Sequence, residues 1–145
     1  MRRASLYFVA LAIGLFLAVD LAADVAARVS VRAQATNLAV SEHLQLAGRQ
    51  LVGTAILALP FVGLALIGLP VLRRRGGAVG VAFLVGGALL LGVAFGVGYR
   101  EVAHALVERH WTAAALSQAF IVVMCLPLLL VAFVVARFVA RSGTA

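Results

Sequence analysis

LVGTAILALPFVGLALIGLPVLRRRGGAVGVAFLVGGALLLGVAFGVGY, residues Leu51–Tyr99, decides the fold. Two apolar runs, about Leu51–Leu72 and about Ala78–Tyr99, flank the break Arg73-Arg74-Arg75-Gly76-Gly77, and neither run holds a charge. A helix needs ~20 apolar residues to cross ~30 Å of hydrocarbon, and each run supplies them. Strands of a membrane barrel alternate polar and apolar over ~10 residues, and these runs are uniformly apolar. Pro70–Gly77, PVLRRRGG, reads as a tight turn joining the two runs into an antiparallel hairpin.

Outward from this hairpin two further segments meet the same length criterion, about Leu6–Ala27 and about Ala113–Ala136. The sequence therefore predicts an all-α integral membrane four-helix bundle, with residues 1–145 forming a single transmembrane domain. Composition agrees. Of the 145 residues, 65% are hydrophobic and 12% charged, and the mean hydropathy is +1.15. A water-soluble domain of this size has too little interior to hide so much apolar surface. The first segment is the least regular, because its uncharged part stops at Val19. Met1-Arg2-Arg3 followed by Leu6–Val19 has the order of a secretory signal. The apolar continuation past Asp20 and the lack of a clean A-x-A site point instead to an uncleaved first crossing.

The arginines set the orientation. With the N-terminus inside, the inner side holds Arg2, Arg3, Arg73, Arg74, Arg75, Arg137 and Arg141 and no acid. The outer side holds Arg28, Arg32, Arg49, Arg100 and Arg109 with every acid of the chain: Asp20, Asp24, Glu42, Glu101 and Glu108. Both termini are then expected to be cytoplasmic by the positive-inside rule, in a cell membrane of the bacterial inner-membrane type. The same distribution explains the net charge of +7 without nucleic acid, which is not an expected partner. The outer connections differ from the inner one. Val29–Gln50 mixes polar and apolar residues, with Ser41 a candidate N-cap ahead of Glu42. Arg100–Thr112 reads as a helical extension of the third crossing, and Tyr99 and Trp111 suit an aromatic belt at the outer interface.

Helices associate in lipid through small residues. Gly76, Gly80, Ala88, Gly92 and Gly96 follow a four-residue spacing, and Gly92-x3-Gly96 has the GxxxG form. Such a face serves packing within one bundle or self-association into a homo-oligomer, and the former is the expected use. Pro60 and Pro127 fall inside the second and fourth crossings, where each removes a backbone bond.

Three residues stand out chemically. Asp20 lies ~21 Å above Leu6 along a straight helix, short of the far edge of the hydrocarbon. An acid at that depth costs at least ~2–3 kcal/mol, and is normally partnered or faces water. Asp24 and Arg28 follow at four-residue steps on the same face. The set reads either as a charged helix end, Arg28 pairing Asp24, or as an ion- or partner-binding site. Glu101, His104 and Glu108, at i, i+3 and i+7, share a second face, and Glu101-x-x-His104 has the spacing of half a di-iron carboxylate motif. A divalent metal there, with the outer His43 and His110 nearby, is the only cofactor expectation. No second ExxH, CxxC, GxSxG or phosphate-loop pattern occurs, no Lys is present for Schiff-base chemistry, and Cys125 lies among apolar neighbours. With no catalytic motif, the leading expectation is a non-enzymatic accessory or scaffold subunit of a membrane assembly, its partners being lipid and other subunits. The competing expectation is a small cation- or proton-coupled transporter or channel using Asp20 and Asp24. An Asp20 that faces other helices beside a polar cavity favours transport, and one that faces lipid or a flat outer surface favours the accessory role.

Overall fold

The computed structural model describes residues 2–142. It contains α1 (Arg2–Arg32), α2 (Thr36–Arg49), α3 (Leu51–Arg75), α4 (Gly77–Val107) and α5 (Trp111–Arg141). The first, third, fourth and fifth are each long and apolar enough to cross a membrane. The chain is thus an all-α, multi-pass membrane protein, with a short extra helix, α2, between the first two crossings.

The helix ends differ from expectation for local reasons. α3 runs through Pro60 and Pro70 to Arg75, so the turn before α4 contracts to Gly76. Gly76 has φ 89°, a left-handed backbone that a residue without Cβ adopts freely. Arg109 (φ 60°) plays the same part after α4, where the Arg109 and His110 N–H groups donate back to the Leu106 and Ala105 carbonyls. That pattern is a Schellman closure with arginine in place of the usual glycine. Ala33 (φ 50°) breaks α1 from α2. The N-cap of α2 is Ala35, with no side-chain bond, and Ser41 lies inside the helix rather than capping it.

The bundle is built around the α3–α4 hairpin. Among the described residues α3 and α4 each touch both α1 and α5, whereas α1 and α5 do not touch one another. α1 turns a four-residue stripe inward: Phe8, Ala12, Phe16, Asp20, Asp24 and Arg28 are all buried. The apolar part of the stripe forms the core. Phe16 of α1, Phe61 of α3 and Phe95 of α4 meet with ring centroids 5.5–6.3 Å apart and tilted or edge-on planes. Such aromatic pairs add ~0.5–1.5 kcal/mol each beyond the area they bury.

The glycines of α4 act inside the bundle, at positions only partly foreseen. A Cβ at Gly80 would press on Leu72 of α3, backbone included, and one at Gly98 or Gly87 would overlap Ile121 of α5 or Leu64 of α3. Ala88 is buried. Of the GxxxG pair, Gly92 makes only ordinary contact with Val19 of α1, and Gly96 faces open space. Of the three close approaches Gly80 lies on the predicted stripe, whereas Gly87 and Gly98 fall one or two residues away from it, because α4 is gripped from three sides at once.

The two ends are chemically distinct. Arg75 Nε donates to the Val139 carbonyl at 2.8 Å and its Nη2 to Ser142 Oγ at 2.7 Å, so the α3–α4 turn and the end of α5 share one arginine-rich end. The acids gather at the opposite end, beneath and around α2.

Candidate functional site

At the acidic end the inward stripe of α1 becomes polar without leaving the interior. Asp20, Asp24, Arg28 and, from α2, His43 are all less than 10% exposed, at 4%, 6%, 8% and 8%. Buried charges persist in proteins only when paired, and here the pairing is continuous. Tyr99 of α4 donates its hydroxyl to Asp20 Oδ1 at 2.5 Å. His43 lies between the carboxylates, Nδ1 2.9 Å from Asp24 Oδ2 and Nε2 3.5 Å from Asp20 Oδ2. Arg28 Nε donates to both oxygens of Asp24 at 2.9 Å, and Arg28 Nη1 reaches Glu42 Oε2 at 2.8 Å. The chain Tyr99–Asp20–His43–Asp24–Arg28–Glu42 therefore links α4, α1 and α2 through one run of polar contacts.

An imidazole faced on both sides by carboxylate oxygens satisfies them only when both ring nitrogens carry hydrogen. The bond to Asp24 raises the His43 pKa above its ordinary value near 6.5, and the charges of Asp20 and Asp24 add to the rise against burial and Arg28. In the protonated form two cations, Arg28 and His43, lie among three carboxylates, Asp20, Asp24 and Glu42.

The network forms one wall of a cavity of about 250 Å³ into which all five helices contribute. Asp20, Asp24 and His43 line it together with Thr54 of α3, Tyr99 of α4 and Gln118 of α5. Its mouth is marked by Arg32, Gln50 and Trp111, all exposed. The cavity exists because α1 and α5 do not meet, and at this end α2 bridges the space that α1 leaves open. Below Asp20 the passage stops: Phe16 is one turn beneath it on α1, Phe95 one turn beneath Tyr99 on α4, and the phenylalanine cluster is sealed.

Each predicted site residue now has a place. Asp20, Asp24 and Arg28 come together, with the Asp24–Arg28 pair of the charged-helix-end reading present. Asp20, however, faces neighbouring helices rather than a hydrated helix end. Glu101, His104 and Glu108 are all exposed on the outer side of α4. Among the described residues no group of three His, Cys, Asp or Glu is arranged to hold a metal ion. The intervening residues of that helix explain it, since Tyr99 and Ala103 are the ones turned inward. His110 stands 3.6 Å from Glu108 at the surface. Tyr99, expected in the interfacial belt, is 6% exposed and bonds Asp20, while Trp111 at 69% keeps the belt position.

His43 and Tyr99, which meet Asp20, and Glu42, which meets Arg28, were not foreseen as partners. The signal that finds His43 is the four-residue pair Ala39–His43, the buried face of α2. The signal for Tyr99 is its place one turn after Phe95 on the inward face of α4. No protein-family model, curated protein or solved structure matches the chain.

Proposed function

We propose that this protein is a small proton- or cation-coupled transport protein whose outward-facing cavity ends on Asp20, His43 and Asp24. One observation carries the reading: Asp20, an acid at membrane depth, is buried against other helices beside a polar cavity. Intramembrane carboxylates in such positions mark ion or proton pathways. The chemistry is an exchange. While His43 holds its second proton it serves as the counterion of both carboxylates. When that proton leaves, Asp20 and Asp24 regain a need for positive charge, which a cation entering from the mouth supplies. Proton release and cation binding are thereby coupled at one site. The conformation described is open at the acidic end and closed beneath Asp20, so delivery to the other side requires the aromatic layer to part.

Orientation belongs to the same proposal. An arginine-rich end without acids inside, and the cavity mouth outside, follow the positive-inside rule and suit a bacterial-type inner membrane.

The accessory-subunit reading keeps one supporting feature, the Asp24–Arg28–Glu42 cluster, which would serve equally as a structural clasp. Transport and clasp separate by experiment. In proteoliposomes with an imposed pH gradient, a pH-sensitive dye should report flux driven by a cation from a panel of alkali, divalent and organic species. Asp20→Asn should abolish that flux while leaving the protein monodisperse. A wild-type protein that moves none of these, nor protons alone, would sink the transport proposal and leave the clasp.

A further inference from the structure

The arginine end carries a second cleft, between α3 and α5, of about 410 Å³. Its walls change character along their length. Toward the bundle centre they are apolar, with Leu66 and Ile67 on α3 and Phe133 on α5, and at the helix ends they are cationic, with Arg74, Arg137 and Arg141. No acid lines it. Leu66 to Arg74, and Phe133 to Arg141, each span ~12 Å at ~1.5 Å per residue. The trough between the helices has room because, between its larger side chains, α5 contributes the buried Ala136 and Ala140. Neighbouring contacts hold the rim in shape. Arg75 ties the end of α3 to the Val139 carbonyl and Ser142 of α5, and the Arg137 guanidinium lies 5.5 Å from the Phe133 ring centroid.

We infer that this cleft is a binding site for the phosphate headgroup and upper acyl chain of an anionic phospholipid from the arginine-side leaflet. The guanidiniums of Arg74 and Arg137, side by side on the two helices, match a phosphodiester, for which arginine supplies paired donors. The apolar stretch directly below them matches an acyl chain, and basic clefts between transmembrane helices at the cytoplasmic boundary are suited to anionic headgroups. A free phosphate offers the same headgroup chemistry but nothing to cover Leu66, Ile67 and Phe133. The proposal is independent of the cavity at the acidic end.

Native mass spectrometry of the full chain tests it, with release from micelles containing equal phosphatidylglycerol and phosphatidylcholine. Phosphatidylglycerol should be retained preferentially on the wild type. Retention should fall about fivefold for each of Arg74→Gln and Arg137→Gln, the value of one surface arginine near an anionic lipid. Arg100→Gln and Arg109→Gln at the other end should retain it as the wild type does. Inorganic phosphate and glycerol phosphate should neither displace the lipid nor raise thermal stability as it does. Equal retention of the two lipids by the wild type, a measurement that needs no variant to fold, would overturn the site. So would phosphate alone matching the lipid, which would make the cleft a soluble-anion site.

Discussion

Asp20 concentrates the energetics of this protein. Its two oxygens are claimed by Tyr99 and His43, and it shares the cavity wall with Asp24. Tyr99→Phe removes the hydroxyl and leaves the shape. It should destabilise the protein by about 1 kcal/mol, and at most ~2, the range for a buried polar bond in a membrane helix bundle. Reversible unfolding in mixed micelles measures this, and no change would mean that Asp20 has another partner. Arg28→Gln is the harsher change, because it takes from Asp24 and Glu42 the guanidinium that pairs with both. A loss of about 3 kcal/mol is expected, as for half of a buried ion pair removed. Asp20, Asp24 and Arg28 were legible in the sequence, since charges are conspicuous inside an apolar run and four-residue steps put them on one face. Their partners were not. A histidine or tyrosine carries no sign of burial by itself, and His43 and Tyr99 arrive from helices distant in sequence. Glu101, His104 and Glu108 show the converse: helical spacing put them on one face correctly, but spacing does not say whether that face is turned in or out.

At the level of elements, the four long helices were readable from apolar length, and α2 was not. Its 14 residues begin without a side-chain cap and bury only Ala39 and His43, so its pattern is faint. α2 is held to the bundle largely through His43 and Glu42, which gives its docking a pH dependence of definite sign. The groups facing His43 are Asp20, Asp24 and Arg28. A histidine whose folded pKa lies above 6.5 adds stability that is complete below pH 6.5 and lost as pH rises through the higher folded value. Hydrogen exchange along α2 should therefore be slower at about pH 6 than at about pH 9, after correction for intrinsic rates. His43→Gln should flatten the difference, and an unchanged profile in that variant would remove His43 as the cause. α4 offers a test of opposite signs. Gly98→Ala drives a methyl into the buried Ile121 and should cost about 1–3 kcal/mol. Gly96→Ala meets nothing and should stabilise the helix by up to ~1 kcal/mol. The GxxxG spacing alone would have ranked Gly96 first. The structure reverses the order, because the face that is gripped depends on where three neighbours stand around α4.

Over the whole molecule, the charge distribution anticipates a polarised protein, and the contacts agree: Arg75 ties one end to α5, while Asp20, Asp24, Glu42 and His43 gather at the other. What the sequence could not disclose is the asymmetry of the bundle. Because α1 and α5 do not touch among the described residues, the acidic end retains a cavity, and α2 and the aromatic layer determine which way it opens. The central claim is that this cavity is water-filled and open to the outside down to the level of Asp20. Single cysteines at Thr54 and Gln118, both on its wall, test it directly in a Cys125→Ala background. Both should react with a membrane-impermeant maleimide added outside intact cells, while a cysteine at Arg74 should react only after permeabilisation. Cavity cysteines that stay protected until the membrane is breached, or an Arg74 cysteine labelled from outside, would contradict the outward-facing site.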